Sequence, residues 1–190
     1  MEKTRVNFKK MYYGFPVFLV SFYDENGIPN ITTLSSSFTL RDMICLGAGN
    51  KSYAANQIIK VRDFVVNIPD ESLMKEIDIC GSVSGAEHQK FSLTGLTPQK
   101  SEVINAPLIE ECPIAIECSL VDVIENENFP MLVTLMGQIK GRLIATNLLD
   151  KEEHLLNFAL NPVLWLGDDA QRVNRYVEQG RFDKARSFLG

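Results

Sequence analysis

Apolar and polar positions alternate along much of this chain with the two-residue period of a sheet, and change to a helical period in a few places. Pro16–Tyr23 is an apolar, β-branched and aromatic run closed by Asp24-Glu25-Asn26-Gly27, in which Asn-Gly is a hairpin signal. Asn30–Leu40, rich in Thr and Ser, reads as the returning strand and Met43–Ala48 as a third, so the first part predicts an antiparallel meander. Ala54, Ile58 and Val61 fall at i, i+4 and i+7 and predict a helix over Tyr53–Val61, with Asn50 or Ser52 as its N-cap. Phe64–Ile68 is a strand stopped by Pro69, and Leu73, Ile77 and Cys80 mark a second helix. Val103–Pro113 is irregular. Two long strands follow, Ile114–Glu125 and Met131–Ala145. In the first, Ile114, Ile116, Cys118 and Leu120 alternate against Ala115, Glu117 and Ser119. After Asn147 the pattern predicts helices over Lys151–Leu160, Asp168–Glu178 and Asp183–Leu189. No internal repeat or composition break divides the chain. The expectation is one β-rich α+β domain over 1–190, with a helical tail from about 150.

Composition narrows the function classes. A net charge of −5 argues against a nucleic-acid partner, which requires a basic face. It leaves room for a phosphate held locally by N–H groups and one or two cations. No apolar run reaches bilayer length and the start lacks a signal-peptide pattern, so the expected location is the cytoplasm and no membrane partner is expected. The four cysteines form no Cys-x-x-Cys pair, and neither His88 nor His154 lies at ligand spacing from one, so no metal is expected. Cys45 and Cys118 read as core residues, and Cys80 as a buried thiol at a helix end.

Three segments carry candidate chemistry. Cys80–Phe91 gathers Gly81, Gly85, Ser82, Ser84, Lys90 and Phe91. These suit close backbone approach, hydrogen bonding, charge neutralisation and a flat apolar face at a planar anion, or else a polar loop. Lys51-Ser52-Tyr53 opens a helix after Gly47 and Gly49. It is either an anion site at a helix N-terminus or a capped helix with a solvated lysine. Thr32 to Ser37 is a hydroxyl-rich strand with Ser35 and Ser37 on one face and Thr32 and Ser36 on the other. It suits the rim of a polar heterocycle or a solvent-facing edge. Asn67 before Pro69 reads as an ordinary strand end.

The order of these motifs resembles a known family. It runs through the Asn-Gly turn, Asn30 with the Thr/Ser strand, Lys51-Ser52-Tyr53, Phe64-Val65-Val66-Asn67-Ile68-Pro69, Cys80-Gly81…Ser84-Gly85…Lys90-Phe91, Ala106-Pro107-Leu108-Ile109 and Ile116-Glu117-Cys118. Over about residues 10–145 the chain is similar to the flavin reductase-like, flavoredoxin-type FMN-binding split-barrel proteins. The resemblance implies a six-stranded antiparallel Greek-key split β-barrel with peripheral helices, a homodimer, and FMN near the dimer interface. By position, Asn30, Thr32, Ser35, Ser36 and Ser37 line the flavin ring and ribityl chain, Lys51 and Ser52 hold the phosphate, and Ser84, Gly85, Lys90 and Phe91 close over the ligand. Two departures stand out. Gln89-Lys90-Phe91 replaces the family's Asp-Lys-Phe, and Glu127-Asn128-Phe129 stands where Gly-Asp-His is common, which argues against a dedicated nicotinamide site.

The implied activity is an FMN-dependent oxidoreductase of the flavin reductase type. It passes electrons from NAD(P)H or a redox partner, through FMN, to a small molecule or an electron-transfer protein. The alternative is a split-barrel FMN-binding or protein-interaction module without reductase turnover. No catalytic side chain is assigned, because the flavin carries the redox chemistry. His88 and His154 read as solvated, and Asp168-Asp169 as a helix N-terminus.

Overall fold

In the computed structural model, described for residues 1–156 and 159–177, the chain begins β1 (Met11–Pro16), β2 (Phe18–Tyr23), β3 (Pro29–Leu34), β4 (Ser37–Leu40), β5 (Met43–Gly49), α1 (Tyr53–Val61) and β6 (Asp63–Ile68). It continues α2 (Met74–Ser82), α3 (Lys90–Thr94), β7 (Pro98–Lys100), β8 (Pro107–Ile109), β9 (Ile114–Glu125), β10 (Leu132–Ile144), β11 (Leu164–Asp168) and β12 (Arg172–Arg175). One antiparallel sheet takes the order β3-β2-β6-β9-β10-β5-β4. Its two edges, β3 and β4, are consecutive in sequence and separated only by Ser35 and Ser36. Laid flat, seven strands would hold those edges about 29 Å apart, six spacings of about 4.8 Å. The chain from Leu34 to Ser37 reaches about 11 Å at most. The sheet must therefore curl until its edges meet, and the result is a barrel split along the seam at Ser35-Ser36. Gly47 N–H donates to the Ser36 carbonyl at 2.8 Å and fixes the bridging pair against β5.

The barrel interior follows from alternation. Phe18, Val20 and Phe22 of β2 point inward with Ile44, Leu46, Phe64 and Leu135, and α1 adds Ala55 and Ile58. Leu19 and Val17 face the other way and pack with Ile31, Ile77, Cys80, Phe91 and Val163, so α2 and α3 cover the outside of β2 and β3. Strand β2 is thus buried on both faces. In β9 the expected alternation holds only in part, because Ala115 and Glu117 are buried as well. The 101–108 segment covers that second face, and Ser101 Oγ donates to the Glu117 carboxylate.

Asn67 is buried, not an exposed strand end. Its Nδ2 donates to the Leu19 carbonyl (3.2 Å), the Ser21 Oγ (2.8 Å) and the Val65 carbonyl (3.3 Å). Its Oδ1 accepts from Ile109 N–H at 3.0 Å, and Ser21 Oγ in turn donates to the Pro107 carbonyl. One side chain therefore ties β2, β6 and β8 together.

Several expectations are corrected. The main sheet has seven strands, not six. Asn30–Leu40 is two strands, because the seam interrupts it. The region 103–113, expected to be irregular, contains β8, and α3 went unforeseen. The helical tail is replaced wherever it is described. Residues 151–153 form a turn, Leu155 bridges to Leu149, and 164–175 is the hairpin β11–β12, which pairs with β1 in a second sheet, order β1-β11-β12. Asp168 does cap backbone N–H groups, those of Ala170 and Gln171, but it caps a hairpin turn entered through Gly167 at φ +125°. The expected helix over 183–189 lies outside the described residues.

Replacing Asn67 with Ala strands the Ile109 N–H in the interior and takes from the Ser21 hydroxyl the donor it accepts from. We expect a loss of about 2–3 kcal/mol in urea unfolding. An unchanged midpoint would show that this carboxamide is not what joins the three strands.

Candidate functional site

Helix α1 is oriented by its first residue. Ser52, at φ −69° and ψ 140°, is the N-cap, and its Oγ accepts from Ala55 N–H at 3.2 Å. The Tyr53 and Ala54 N–H groups open the helix without intrahelical acceptors and carry the positive end of its dipole. Lys51 is exposed beside them. Tyr53 is fixed from the other side, its hydroxyl donating to Asp24 Oδ2 at 3.0 Å. Asp24 Oδ1 meanwhile accepts from Asn26 and Ile28 N–H at 2.9 Å each, so the β2–β3 turn and the helix start hold one another. Burial works to raise the Asp24 pKa, but the Ile28 and Asn26 N–H bonds and the Tyr53 hydroxyl leave it below the ordinary carboxylate value. Burial and the Asp24 hydrogen bond and charge push the Tyr53 phenol up to about 12.

The segment after α2 folds down onto this helix start. Asn30 is buried on β3. Its Oδ1 accepts from Ile31 N–H at 2.8 Å and its Nδ2 donates to the Gly85 carbonyl at 3.0 Å. Gly85 lies so close that a Cβ there would stand 2.8 Å from Tyr53 Cδ1 and 2.9 Å from Asn30 Oδ1, a spacing only glycine permits. Between the segment and the helix is a cavity of about 200 Å³, lined by Thr32, Lys51, Ser52, Tyr53, Ser84 and Lys90, among others.

Lys90 is the unusual member. It is 3% exposed, and its Nζ donates to the Cys80 carbonyl at 2.7 Å. That bond uses one of three ammonium protons and leaves two for whatever enters the cavity. Burial lowers its pKa, with the nearby Cys80 acting in the opposite direction. Burial pushes the Cys80 thiol itself up to about 11, so it is an inert core residue, and the other three cysteines are buried too.

A larger cavity, about 260 Å³, is lined in part by sequence neighbours of the residues that line the first. Thr32 lines one and Thr33 the other, and Ser82 lines the larger where Val83 lines the smaller. The floor of the larger cavity is the barrel seam, Ser35 and Ser36 with Gly47. Helix α2 contributes Asp78 and Gly81. The opposite wall is Tyr12, Trp165 and Asn174 from the second sheet, with Tyr12 and Trp165 edge to face at 6.0 Å and 61°.

The residues singled out in the sequence thus divide. Thr32, Lys51, Ser52, Ser84, Gly85 and Lys90 meet around the smaller cavity, and Ser35 and Ser36 line the larger. Asn30 stands behind the smaller cavity as its strut. Ser37 is exposed on β4, and Phe91 is buried in the same apolar cluster as Ile77 and Leu96 and lines neither cavity. Tyr12, Asp78, Trp165 and Asn174 had no sequence signal, because three of them reach the cavity through a strand pairing that joins Met11 to Asp168. Among the described residues no His/Cys/Asp/Glu cluster suits a metal, and no helix is long and apolar enough to cross a membrane.

Comparison with known proteins converges on one family. A family model described as the flavin reductase like domain matches residues 11–163. Among solved structures, the flavoredoxin of Desulfovibrio vulgaris (Miyazaki F) is 25% identical with a TM-score of 0.87, the alignment covering 100% of both chains. A flavoredoxin from Methanosarcina acetivorans is also 25% identical over 100% of both chains, with a TM-score of 0.82. The Bacillus subtilis protein YdfE is 32% identical over 126 residues, which is 59% of this chain and 61% of YdfE, so the similarity spans less than two thirds of that relative's length.

Two outcomes follow from the geometry. Gly85→Ala forces a methyl into Tyr53 and Asn30, and we expect it to lower unfolding stability by about 1–3 kcal/mol. A fully stable variant would mean that the segment does not press on the helix start. In an ultraviolet titration, one tyrosine should ionise at about 12. In Asp24→Asn that transition should fall part of the way toward the ordinary phenol value of about 10, because burial, the larger cause, remains. A transition insensitive to the substitution would remove Asp24 as its cause.

Proposed function

The chain belongs to the flavin reductase-like family, and from that premise we propose that its two cavities together hold one FMN molecule for redox catalysis, with the phosphate in the smaller and the ring system over the seam. The observation that carries this reading is Lys90, a buried ammonium with one protein acceptor, lining the same cavity as the open end of α1. The residues fit a phosphate. Lys51 and Lys90 supply charge, the Ser52 and Ser84 hydroxyls supply donors, and the first-turn N–H groups of α1 favour an anion. The tight approach of Gly85 keeps the covering segment low over the site.

Bound there, FMN supplies the electron transfer. The protein's part is to bind and orient. Thr32 lines the smaller cavity and would meet the ribityl hydroxyls, and Ser35 and Ser36 line the larger and would meet the polar rim of the ring. With Phe129 where the family commonly has histidine, and no cation among the described residues that line the larger cavity, a partner protein or small molecule is favoured over a dedicated nicotinamide site as the electron source. We take the assembly to be a homodimer, supported by the exposed apolar side chains Phe38, Leu40, Val121 and Leu132.

Purified protein should be yellow or should bind added FMN. Lys51→Ala should weaken FMN binding about 3- to 5-fold, as an exposed charge does. Lys90→Met should weaken it about 10- to 100-fold, as a hydrogen-bonded charge in a buried site does. Affinity should also fall as pH rises through the lowered Lys90 pKa, because the neutral amine no longer attracts phosphate, and this fall should vanish in Lys90→Met. Fluorescence titration reads all three, and equal affinity across the set would reject the phosphate assignment. Anaerobic addition of NADH, NADPH and then dithionite separates a reductase, bleached by a nicotinamide, from a carrier, bleached only by dithionite.

A further inference from the structure

The first ten residues carry the opposite charge from the rest of the chain. They hold Lys3, Arg5, Lys9 and Lys10 against the single acid Glu2, in a chain of net charge −5. All ten are exposed and lie outside any helix or strand, with Val6 54% and Phe8 49% exposed. This arm is tethered beside β1, where Lys9 N–H donates to Asp169 Oδ2 at 2.6 Å. From the tether, residues 1–8 reach about 28 Å when extended. Among the described residues none of its cations is in an ion pair. At the turn between β9 and β10 is a cavity of about 340 Å³ with the opposite character. Its charged lining residues are Glu125 and Glu127, and Phe129, Pro130 and Leu132 supply its apolar part. Asn50 fixes the turn, its N–H donating to the Met131 carbonyl at 3.0 Å and its Nδ2 to the Pro130 carbonyl at 2.7 Å. Among the described residues neither acid is in an ion pair, and no residue of the arm lines the cavity.

We propose that the arm of one chain seats in this cavity on a second copy, and the second copy's arm in the first, as a two-fold exchange. The proposal rests on the homodimer reading above and is independent of the flavin. Charge favours this occupant, because Lys3 and Arg5 are opposite in sign to Glu125 and Glu127, and a single chain leaves those pairs unmade. Alternation favours it too. An extended arm carries Lys3 and Arg5 on one side and Val6 and Phe8 on the other, which matches a cavity with both acids and apolar side chains. Its place agrees, since Leu132 lines the cavity and belongs to the exposed apolar set assigned to the dimer. Two copies of an acidic chain repel one another. The basic arm gives them a point of attraction, and symmetry doubles contacts that are individually weak.

Sedimentation of the full chain reads the dimer affinity. Lys3→Glu with Arg5→Glu should weaken the dimer about 5- to 20-fold, and Glu125→Lys with Glu127→Lys by a similar factor. All four changes together should restore it to within about 3-fold of the unaltered chain. These positions are exposed, so the variants keep their fold. A tighter dimer in Glu125→Lys with Glu127→Lys would show that only overall charge matters, and would overturn the proposal. So would losses that multiply when the four changes are combined. The partner's identity is read by joining Arg5→Cys and Glu127→Cys in one chain and oxidising with diamide. The expected product has twice the chain mass, and the four natural cysteines, all buried, do not compete. A disulfide closed within one chain, or none, would also reject the exchange. A chain that stays monomeric at every concentration rejects the homodimer reading and the exchange with it. A dimer that ignores the charge swap rejects the exchange alone.

Discussion

Two serines must join the far edges of a seven-stranded sheet, and no other constraint shapes this molecule as much. Ser35 and Ser36 cannot span an open sheet, so the strands roll into a barrel. The same pair lies outside the strand ladder, and although the Ser36 carbonyl still accepts from Gly47 N–H, the line between the two edges is left unsealed. A larger cavity lies over that line. The fold and the place where a ligand is offered polar groups therefore have one cause. Helices α2 and α3 cover the outside of the same strands, and the segment between them reaches the helix α1 start.

Much of this was legible in the sequence, for local reasons. The α1 boundaries followed from the apolar stripe and from serine's capping chemistry, and β9 and β10 from long period-2 runs. The convergence of Lys51-Ser52 with Ser84-Gly85 was expected through family resemblance, and the structure brings them together. What failed was what depends on distant contacts. Asn67 does sit at a strand end, but nothing nearby shows that Pro107 and Ile109 will lie over it and bury it. Phe91 looked available to a ligand until a helix turned it inward.

The tail shows how one chemical signal serves two structures. A carboxylate that accepts from N–H groups two and three residues on begins a helix or closes a tight turn equally well. Asp168 does the second, because Gly167 at positive φ turns the chain back and β1 offers an unpaired edge for β11. Only the whole molecule supplies that edge. Lys90 is a similar case. Its type suggested charge neutralisation at an anion, but nothing local showed that the Cys80 carbonyl and the packing of α3 would draw it inside.

The pairing of Met11 with Asp168 has a temporal consequence. Contacts between residues so far apart in sequence close last, because the loop they complete is long and nothing local stabilises it beforehand. While the chain is being made at the ribosome, the barrel strands are available well before β11 emerges. The nascent chain therefore has every strand of the main sheet available before the strand that carries Trp165, and the aromatic wall can be completed only afterwards.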